Sequence, residues 1–335
     1  MLKNKSSFPF VLKLTAGLAI LFLSFVIAMV MGAADTSLRE VWLAITGGEK
    51  SETITMIREI RLPREVAAVF VGAALSVAGA VMQGLTRNPL ADPGLLGLTA
   101  GANASLAFLL AFHSSAGYFV LTMACFVGAF AGVCLVFGIS AVKKGGFSPF
   151  KIVLAGAAVT AFLQGIAEAI GLYFKISKDV SMWTAGGLIG TSWEQLKVII
   201  PFIAAGILIA LYLSRQLTIL SLNEEVAVGL GQKTRQIKAV LFMVVTILAG
   251  AAVAIAGNMA FIGLMVPHIV RAVVGTDYRF VLPMSAVFGA AFMLLADTLG
   301  RTIHAPFETP VSAIVYILGL PFFLLIVRKG GRTVL

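Results

Sequence analysis

The sequence has little charge and almost no cysteine. Asp, Glu, Lys and Arg make up 12% of its 335 residues, about half the fraction that an ordinary soluble domain carries. Cys125 and Cys134 lie nine residues apart in one apolar run, which is about 13 Å along a helix and too far for a disulfide. With 59% hydrophobic residues and a mean hydropathy of +1.01, this composition excludes an ordinary soluble domain and indicates a membrane protein.

Catalytic and metal-binding signatures are missing as well. The sequence has no G-x-x-x-x-G-K-[ST] phosphate loop, because its nearest stretch, "GLGQKT" at 229–234, lacks a glycine directly before the lysine. The H-E-x-x-H and G-x-S-x-G motifs are also absent. His113, His268 and His304 are isolated in sequence and form no Cys/His ligand pattern. We therefore expect no catalytic residue, no metal and no cofactor in this chain.

The apolar residues are gathered in runs long enough to cross a membrane. A helix needs about 20 residues to cross a hydrocarbon layer of roughly 30 Å. The runs show no period-two alternation, which favours helices over barrel strands. We predict an all-α polytopic membrane protein that forms one transmembrane domain over residues 1–335. Its ten spans are predicted at about 11–32, 65–86, 94–112, 117–142, 150–174, 195–214, 237–257, 259–273, 280–300 and 307–328.

Two of these runs are unusual in length. The first is longer than the core of a signal sequence, so we predict that it is a retained span. The eighth is short and contains Pro267, which predicts a half-span or a bent helix. Small residues at i and i+4 allow close contact between helices in lipid, and this spacing occurs at Gly97/Gly101, Gly128/Gly132 and Gly186/Gly190.

The basic residues predict the orientation. The net charge is +10, but it is scattered over short loops and so does not indicate a nucleic-acid partner. With the N-terminus inside, 16 of the 25 basic residues face the cytoplasm, in agreement with the positive-inside rule. An even number of spans also keeps the C-terminus cytoplasmic. Omitting the eighth span would place Arg328, Lys329 and Arg332 outside, which favours ten spans.

Four arginines lie on the outer side against this bias. Arg58, Arg61 and Arg64 of "REIRLPREV" precede the second span, and Arg301 ends the ninth. Two interpretations remain open for them. They are interface anchors whose long side chains reach the headgroups, or they are charges that receive an acidic partner protein.

Ionisable residues inside the predicted spans are few. Asp297 and Arg301 are four residues apart, a spacing that lets them pair on one helix face. Glu168 lies within the fifth span, where it either lines an aqueous path or makes a polar contact between helices. An ion-driven transporter would carry more buried titratable groups along its spans.

The longest cytoplasmic segment is predicted at about 219–236. Glu224 and Glu225 place negative charge in the first turn of a short helix at 223–230, which is favourable, and Gly229 and Gly231 provide a stop. This helix is a solvated connection, or it inserts into a groove on a cytoplasmic protein.

Three blocks of the sequence resemble one known family. They are "RLPREVAAVFVGAALSVAGAVMQGLTRNPLADPGLLGLTAGA" (61–102), "GLGQKTRQIKAVLFMVVTILAGAAVAIAGNMAFIGLMVPHIVRAVVGTDYR" (229–279) and "LADTLGRTIHAPFETPVSAIVYILGLPFFLLIVRK" (295–329). This pattern looks like the ten-span, type II permeases that import iron–siderophore, haem and vitamin B12 complexes. They are the membrane subunits of binding-protein-dependent ABC importers. The likeness covers nearly the whole chain and is greatest to the ferric-siderophore branch.

The resemblance implies roles that the residues alone leave open. Arg61, Arg64 and Arg301 match arginines that receive acidic residues of an extracytoplasmic binding protein; Arg58 has no such match. Glu224, Glu225, Gly229 and Gly231 belong to the segment that couples to the ATPase. The path would run between two permeases, bordered by the fifth span and the segment after it, with Trp183, Gly186 and Gly187 as candidate residues. Glu168 has no match in the family and is a path candidate only because it lies within the fifth span.

The implied assembly has several subunits. A second permease, identical or homologous, two cytoplasmic ATPases that hold ATP and magnesium, and a binding protein or lipoprotein would work with this chain. Its cargo would be a ferric siderophore, carried across the cell membrane of a bacterium. The alternatives are haem or cobalamin on the same scaffold, an ion-coupled secondary transporter and, as a third class, an intramembrane enzyme.

Overall fold

The computed structural model describes residues 9–32, 36–47, 51–142 and 149–328. Within these ranges the regular structure is helical throughout, without a strand. The α-helices are α1 Phe10–Val30, α2 Leu38–Thr46, α3 Glu52–Met56, α4 Leu62–Thr86, α5 Leu98–Phe112, α6 Tyr118–Val142, α7 Pro149–Tyr173, α8 Ser177–Thr184, α9 Trp193–Tyr212, α10 Ser214–Leu222, α11 Glu224–Gly229, α12 Thr234–Ala256, α13 Ile262–Val274, α14 Tyr278–Thr302 and α15 Val311–Arg328. Of the basic residues used to predict orientation, the following lie outside the described ranges: Lys3, Lys5, Lys50, Lys143, Lys144, Lys329 and Arg332.

The described helices fit a polytopic membrane protein. Seven are long and apolar enough to cross a membrane, and the apolar α5, α13 and α15 are shorter. The ten predicted spans overlap these ten helices one for one. Large apolar side chains such as Phe22, Phe162 and Leu172 are exposed on helix surfaces, which suits contact with lipid rather than water. The prediction of an all-α membrane fold is confirmed.

The predicted short eighth span is a short helix. α13 has 13 residues and contains Pro267, so it is about 20 Å long and does not cross a hydrocarbon layer of roughly 30 Å by itself. Its first turn packs against the last turns of α4, where the Nε2 atom of Gln83 donates to the carbonyl oxygens of Gly263 and Leu264, each at 3.2 Å.

Helix α4 is the centre of the bundle. Most of its residues are buried, and it packs most extensively against α14, with α12 and α13 on its other sides. Glycines set these close approaches. A Cβ on Gly72 would overlap the backbone of Gly289, and a Cβ on Gly79 would overlap the backbone of Gly263. The helices therefore meet backbone to backbone, as small residues permit.

The predicted glycine contacts are partly confirmed. Gly101 faces the carbonyl oxygen of Gly128, and Gly132 faces that of Gly97, so α5 and α6 cross at these two pairs. The third pair is wrong: Gly186 and Gly190 lie in the loop between α8 and α9, with φ angles of +76° and +75°. Their role there is conformational, because glycine adopts positive φ at little steric cost.

Candidate functional site

Six charged side chains gather at the predicted outer end of the bundle, and we call them the outer charge cluster. They are Arg61, Arg64, Glu65, Asp297, Arg301 and Glu308. Local sequence places them: a π-helical turn at Ile57–Arg61 leads into α4, whose second residue is Pro63. α14 supplies two members from its last turns, and the loop before α15 supplies Glu308.

Arg64 is paired with two carboxylates. Its Nε and NH2 groups donate to Asp297 at 2.9–3.2 Å, and its NH1 and NH2 groups donate to Glu308 at 2.9 and 3.0 Å. The Asp297 side chain is fully buried, whereas the Glu308 side chain is 31% exposed. The guanidinium is thus held from inside by a buried acid and from outside by an accessible one.

Arg301 completes the buried part of the cluster. Its NH2 group donates to Oε1 of Glu65 at 2.5 Å, and its Nε lies 3.0 Å from Oδ2 of Asp297. The predicted i, i+4 pair of Asp297 and Arg301 is therefore confirmed. Arg61 donates instead to the carbonyl oxygen of Met29 and to the hydroxyl of Thr36, each at 2.7 Å. These contacts tie the segment between α1 and α2 to the start of α4.

The three arginines that the resemblance assigns to docking are buried rather than exposed at the surface. Arg61, Arg64 and Arg301 are 7%, 9% and 5% exposed, because neighbouring helices and loops cover them. Their role in docking a partner stays a prediction. Arg58 also has an intramolecular partner, since its Nε donates to the carbonyl oxygen of Ala44 at 3.0 Å.

The cluster contains two acids that sequence reasoning missed. Glu65 is fully buried, although an acidic residue at the start of an apolar span was itself a signal of function. Glu308 contacts Arg64 across 244 positions of sequence, a pairing that no local pattern predicts.

A second region is a cavity of about 610 Å³ beside α7 and α8, which we call the polar cavity because nine of its 14 described lining residues have polar side chains. α5, α7, α8, α15 and the loop between α12 and α13 contribute its walls. Its polar lining residues are Asn103, Gln164, Glu168, Ser177, Ser181, Thr184, Asn258, Ser312 and Tyr316. Hydrogen bonds fix part of this wall: Thr184 donates to Oδ1 of Asn103 at 3.1 Å, and the Tyr316 hydroxyl donates to the carbonyl oxygen of Asn258 at 3.2 Å.

The structure brings only one of the four predicted path residues to this cavity. Glu168 lines it. The Trp183 ring stacks on Tyr118 of α6 with centroids 5.8 Å apart. Gly187 donates its N–H to the carbonyl oxygen of Ala256 at 3.0 Å, and Gly186 packs against the same carbonyl. Gly186 and Gly187 thus fasten the loop after α8 to the end of α12, whereas Trp183 packs α8 against α6. The path itself stays a prediction.

The predicted cytoplasmic helix is present as α11. The Asn223 side chain caps it by accepting from the N–H of Glu225 at 2.8 Å, and Gly231 has a φ of +78° just after it. Glu224 pairs with Nζ of Lys238 at 2.5 Å, whereas Glu225 and Gly229 are exposed. The described part of the segment therefore forms as the residues predicted.

Apolar side chains on this segment are turned to the outside. Leu222, Val226, Val228 and Leu230 are 49–72% exposed, whereas Ala227 is buried against the bundle. These four exposed apolar side chains lie within residues 222–230. We call them the exposed apolar patch, and a groove on a partner protein would cover them.

Helix α10 joins this segment to α14. The Thr218 hydroxyl donates to Oδ1 of Asp277 at 3.2 Å and accepts from the N–H of Tyr278 at 3.0 Å. Arg279 also donates to Asp277, at 2.8 Å. This hydrogen bond to the Arg279 guanidinium holds the pKa of Asp277 below its ordinary value.

Fold and sites together define a helical integral membrane protein with a charged cluster at one end, a segment with exposed apolar side chains at the other and a cavity beside α7 and α8. Its family follows from comparison. The chain belongs to the FecCD transport family, whose model matches residues 20–329. The resemblance read from the three sequence blocks is therefore confirmed.

Individual relatives align with this chain over most of their own length. The chain is 44% identical over 323 residues to the iron(3+)-hydroxamate import system permease protein FhuB of Bacillus subtilis (strain 168), covering 96% of this chain and 84% of that one. It is 42% identical over 302 residues to the Fe(3+)-citrate import system permease protein YfmD of the same organism, covering 90% and 89%. A solved inward-facing structure assigned to the metal-chelate type of ABC transporter matches with a TM-score of 0.82 at 26% identity, over 94% of this chain and 98% of that one.

Proposed function

We propose that this chain is a permease subunit of an ATP-driven ABC importer that moves a ferric-siderophore complex across the cell membrane of a bacterium. The observation that carries the proposal is the likeness to iron-complex permeases over nearly the full length of both chains. The solved ABC transporter chain supports the same fold over 94% of the residues. Haem and cobalamin are the alternative cargoes for this scaffold.

The proposed complex distributes the work among several chains. A second permease, identical or homologous, completes the path. Two cytoplasmic ATPases bind ATP and magnesium and supply the energy, so that hydrolysis takes place on them and this chain provides the membrane path. An extracytoplasmic binding protein delivers the cargo. Each contact needs a surface, and the exposed apolar patch on α11 suits the ATPase whereas the outer charge cluster suits an acidic binding protein.

The geometry of the outer charge cluster suggests how a buried arginine can dock a partner. Asp297 is fully buried behind Arg64, but Glu308 is partly exposed in front of it. An incoming carboxylate therefore reaches Arg64 by replacing Glu308, which leaves the inner ion pair in place. In this scheme Glu308 occupies the docking position until the binding protein arrives.

Uptake in cells tests the proposal directly. A strain that lacks this chain should lose uptake of ⁵⁵Fe-labelled ferric siderophores and recover it when the chain is restored. Proteoliposomes should take up the cargo only when the ATPase subunits, ATP and magnesium are present with the permease. Uptake by the chain alone would refute the proposal.

Thiol labelling tests the orientation on which both docking assignments depend. Phe307 and Leu230 are 70% and 65% exposed and lie at opposite ends of the fold. In a Cys134→Ser background, Phe307→Cys should react with an impermeant maleimide on intact cells, and Leu230→Cys only after permeabilisation. The reverse pattern would place the arginines inside and remove the docking assignment.

An ion-coupled transporter is the second candidate function, and two buried acids are the observation in its favour. Glu65 and Asp297 are fully buried within spans, as a proton carrier would require. Both are paired with arginines in the same outer cluster, which favours a fixed structural role over a carrier that changes access. Uptake that follows a proton gradient without ATP would support this candidate.

A further inference from the structure

The polar cavity is lined by one acidic side chain. Among the described residues that line it, Glu168 is the acid and none is Lys, Arg or His. Lys175 and Lys178 follow α7 in sequence, but neither lines the cavity. The wall is therefore negative, although the chain as a whole has a net charge of +10.

Glu168 and three polar side chains on α7 and α8 make no polar side-chain contact of their own within the described residues. Gln164, Glu168, Ser177 and Ser181 have no side-chain hydrogen bond or ion pair in the described structure. They lie on α7 and α8, and all four are exposed. By contrast, Thr184 and Tyr316 of the same cavity are hydrogen-bonded to the wall. One side of the cavity is thus fixed, and the other presents free donors and acceptors together with one free carboxylate.

This combination selects among cargoes by charge. Amide and hydroxyl groups both donate and accept, so they accommodate the polar groups of a neutral complex without a fixed partner. A carboxylate attracts a cationic complex and repels an anionic one. A unit charge about 10 Å away, at an effective dielectric constant of about 20, changes an equilibrium constant roughly tenfold.

From this cavity we infer that the permease conducts neutral or cationic ferric complexes in preference to anionic ones, with Glu168 as the residue that sets the preference. The inference rests on the proposed function and adds to it the charge class of the cargo. The cavity volume of about 610 Å³ lies within the range of roughly 300–1,000 Å³ typical of ligand sites, and a second permease would complete the enclosure.

Three labelled complexes of different charge test the inference: cationic ferrioxamine B, neutral ferrichrome and anionic ferric citrate. Initial uptake rates are measured in the strain that lacks the native chain, complemented with wild type, Glu168→Gln or Glu168→Lys. For each complex the variant rate is divided by the wild-type rate. The preference of the binding protein cancels in this quotient, because it is the same in both strains.

A matched control separates the cavity from the general surface charge. Asp179 on α8 is an exposed acid that does not line the cavity, so Asp179→Asn and Asp179→Lys make the same charge changes nearby. We expect Glu168→Gln, which removes one unit of charge, to lower the quotient for ferrioxamine B roughly tenfold below that for ferrichrome and to raise that for ferric citrate. Glu168→Lys changes the charge by two units and should shift both quotients further in the same directions, by roughly a hundredfold for ferrioxamine B.

Several results would overturn the inference. One is that the Glu168 variants give equal quotients for the three complexes. Another is that Asp179→Lys shifts the quotients as much as Glu168→Lys does. The third is that the wild-type chain supports uptake of ferric citrate but of neither other complex. These leave the importer proposal intact. If restoring the wild-type chain raises uptake of none of the three complexes, the proposed function fails, and the inference with it.

Discussion

Neutralising Asp297 should destabilise the chain far more than neutralising Glu308, although both acids bind Arg64. Asp297→Asn keeps the shape of the side chain but removes the fully buried negative charge that Arg64 and Arg301 share. Removing one partner of a buried ion pair costs about 3–5 kcal/mol, because the other charge is left without compensation. Glu308 is 31% exposed, so water screens its loss and Glu308→Gln should cost about 1 kcal/mol or less.

The double variant Arg64→Gln/Asp297→Asn tests the electrostatic reason. The cluster has three basic and three acidic members, and the double variant removes one of each. Replacing both partners of a buried pair is much less costly than removing one. We therefore expect the double variant to recover part of the stability that Asp297→Asn loses.

The detergent-solubilised chain is heated in steps, and size-exclusion chromatography measures the monodisperse fraction that survives each step. Asp297→Asn should lose this fraction several degrees below Glu308→Gln, and the double variant should fall between them. Equal midpoints for the two single variants would show that burial does not govern these ion pairs and would refute the reasoning. If the double variant were less stable than Asp297→Asn, loss of charge compensation would not explain the destabilisation.

The remaining predictions concern packing and docking. Gly79→Ala should destabilise the fold by about 1–3 kcal/mol or more, because the added methyl group would meet the backbone of Gly263. Gly165→Ala has open space around it and should be neutral or stabilising by up to about 1 kcal/mol. Thermal midpoints of the two variants in detergent give the comparison. Glu308→Gln should strengthen binding of the binding protein several-fold by freeing Arg64, measured by titration on nanodiscs, and weaker binding would contradict the exchange. Leu230→Gln should lower co-purification of the ATPase at least tenfold, since burying a leucine contributes about 1.5–3 kcal/mol, without changing the thermal midpoint.

Local pattern was enough to predict most of the fold. Apolar run lengths predicted the helices, and Pro267 with a short run predicted the reduced length of α13. The Asn223 cap and the glycine after α11 follow from side-chain and backbone chemistry within a few residues. The contact of α5 with α6 was also predictable, because paired glycines four residues apart mark a surface where two backbones approach.

The candidate site was less predictable, because its partners are distant in sequence. Which residues cover Arg61 depends on how the segment between α1 and α2 folds back, and Met29 and Thr36 gave no sign of this. The outer side of the arginines was inferred from charge bias, but charge bias says nothing about burial. For the same reason, charge reversal at Arg64 is a poor test of docking: a glutamate there would face Asp297 and Glu308, and misfolding would imitate a docking defect.

One helix connects the two ends on which the proposed function depends. Asp277 caps the start of α14 and is hydrogen-bonded to Thr218 of α10, the helix that leads into the cytoplasmic segment. The last turns of α14 carry Asp297 and Arg301 of the outer charge cluster. Along its length it packs against α4 at Gly289 without room for a side chain. Two helices in backbone contact resist sliding past each other, because no flexible side chain separates them. Motion at the cytoplasmic segment should therefore move α4 and α14 as one body and reach the outer charge cluster without repacking the seam between them.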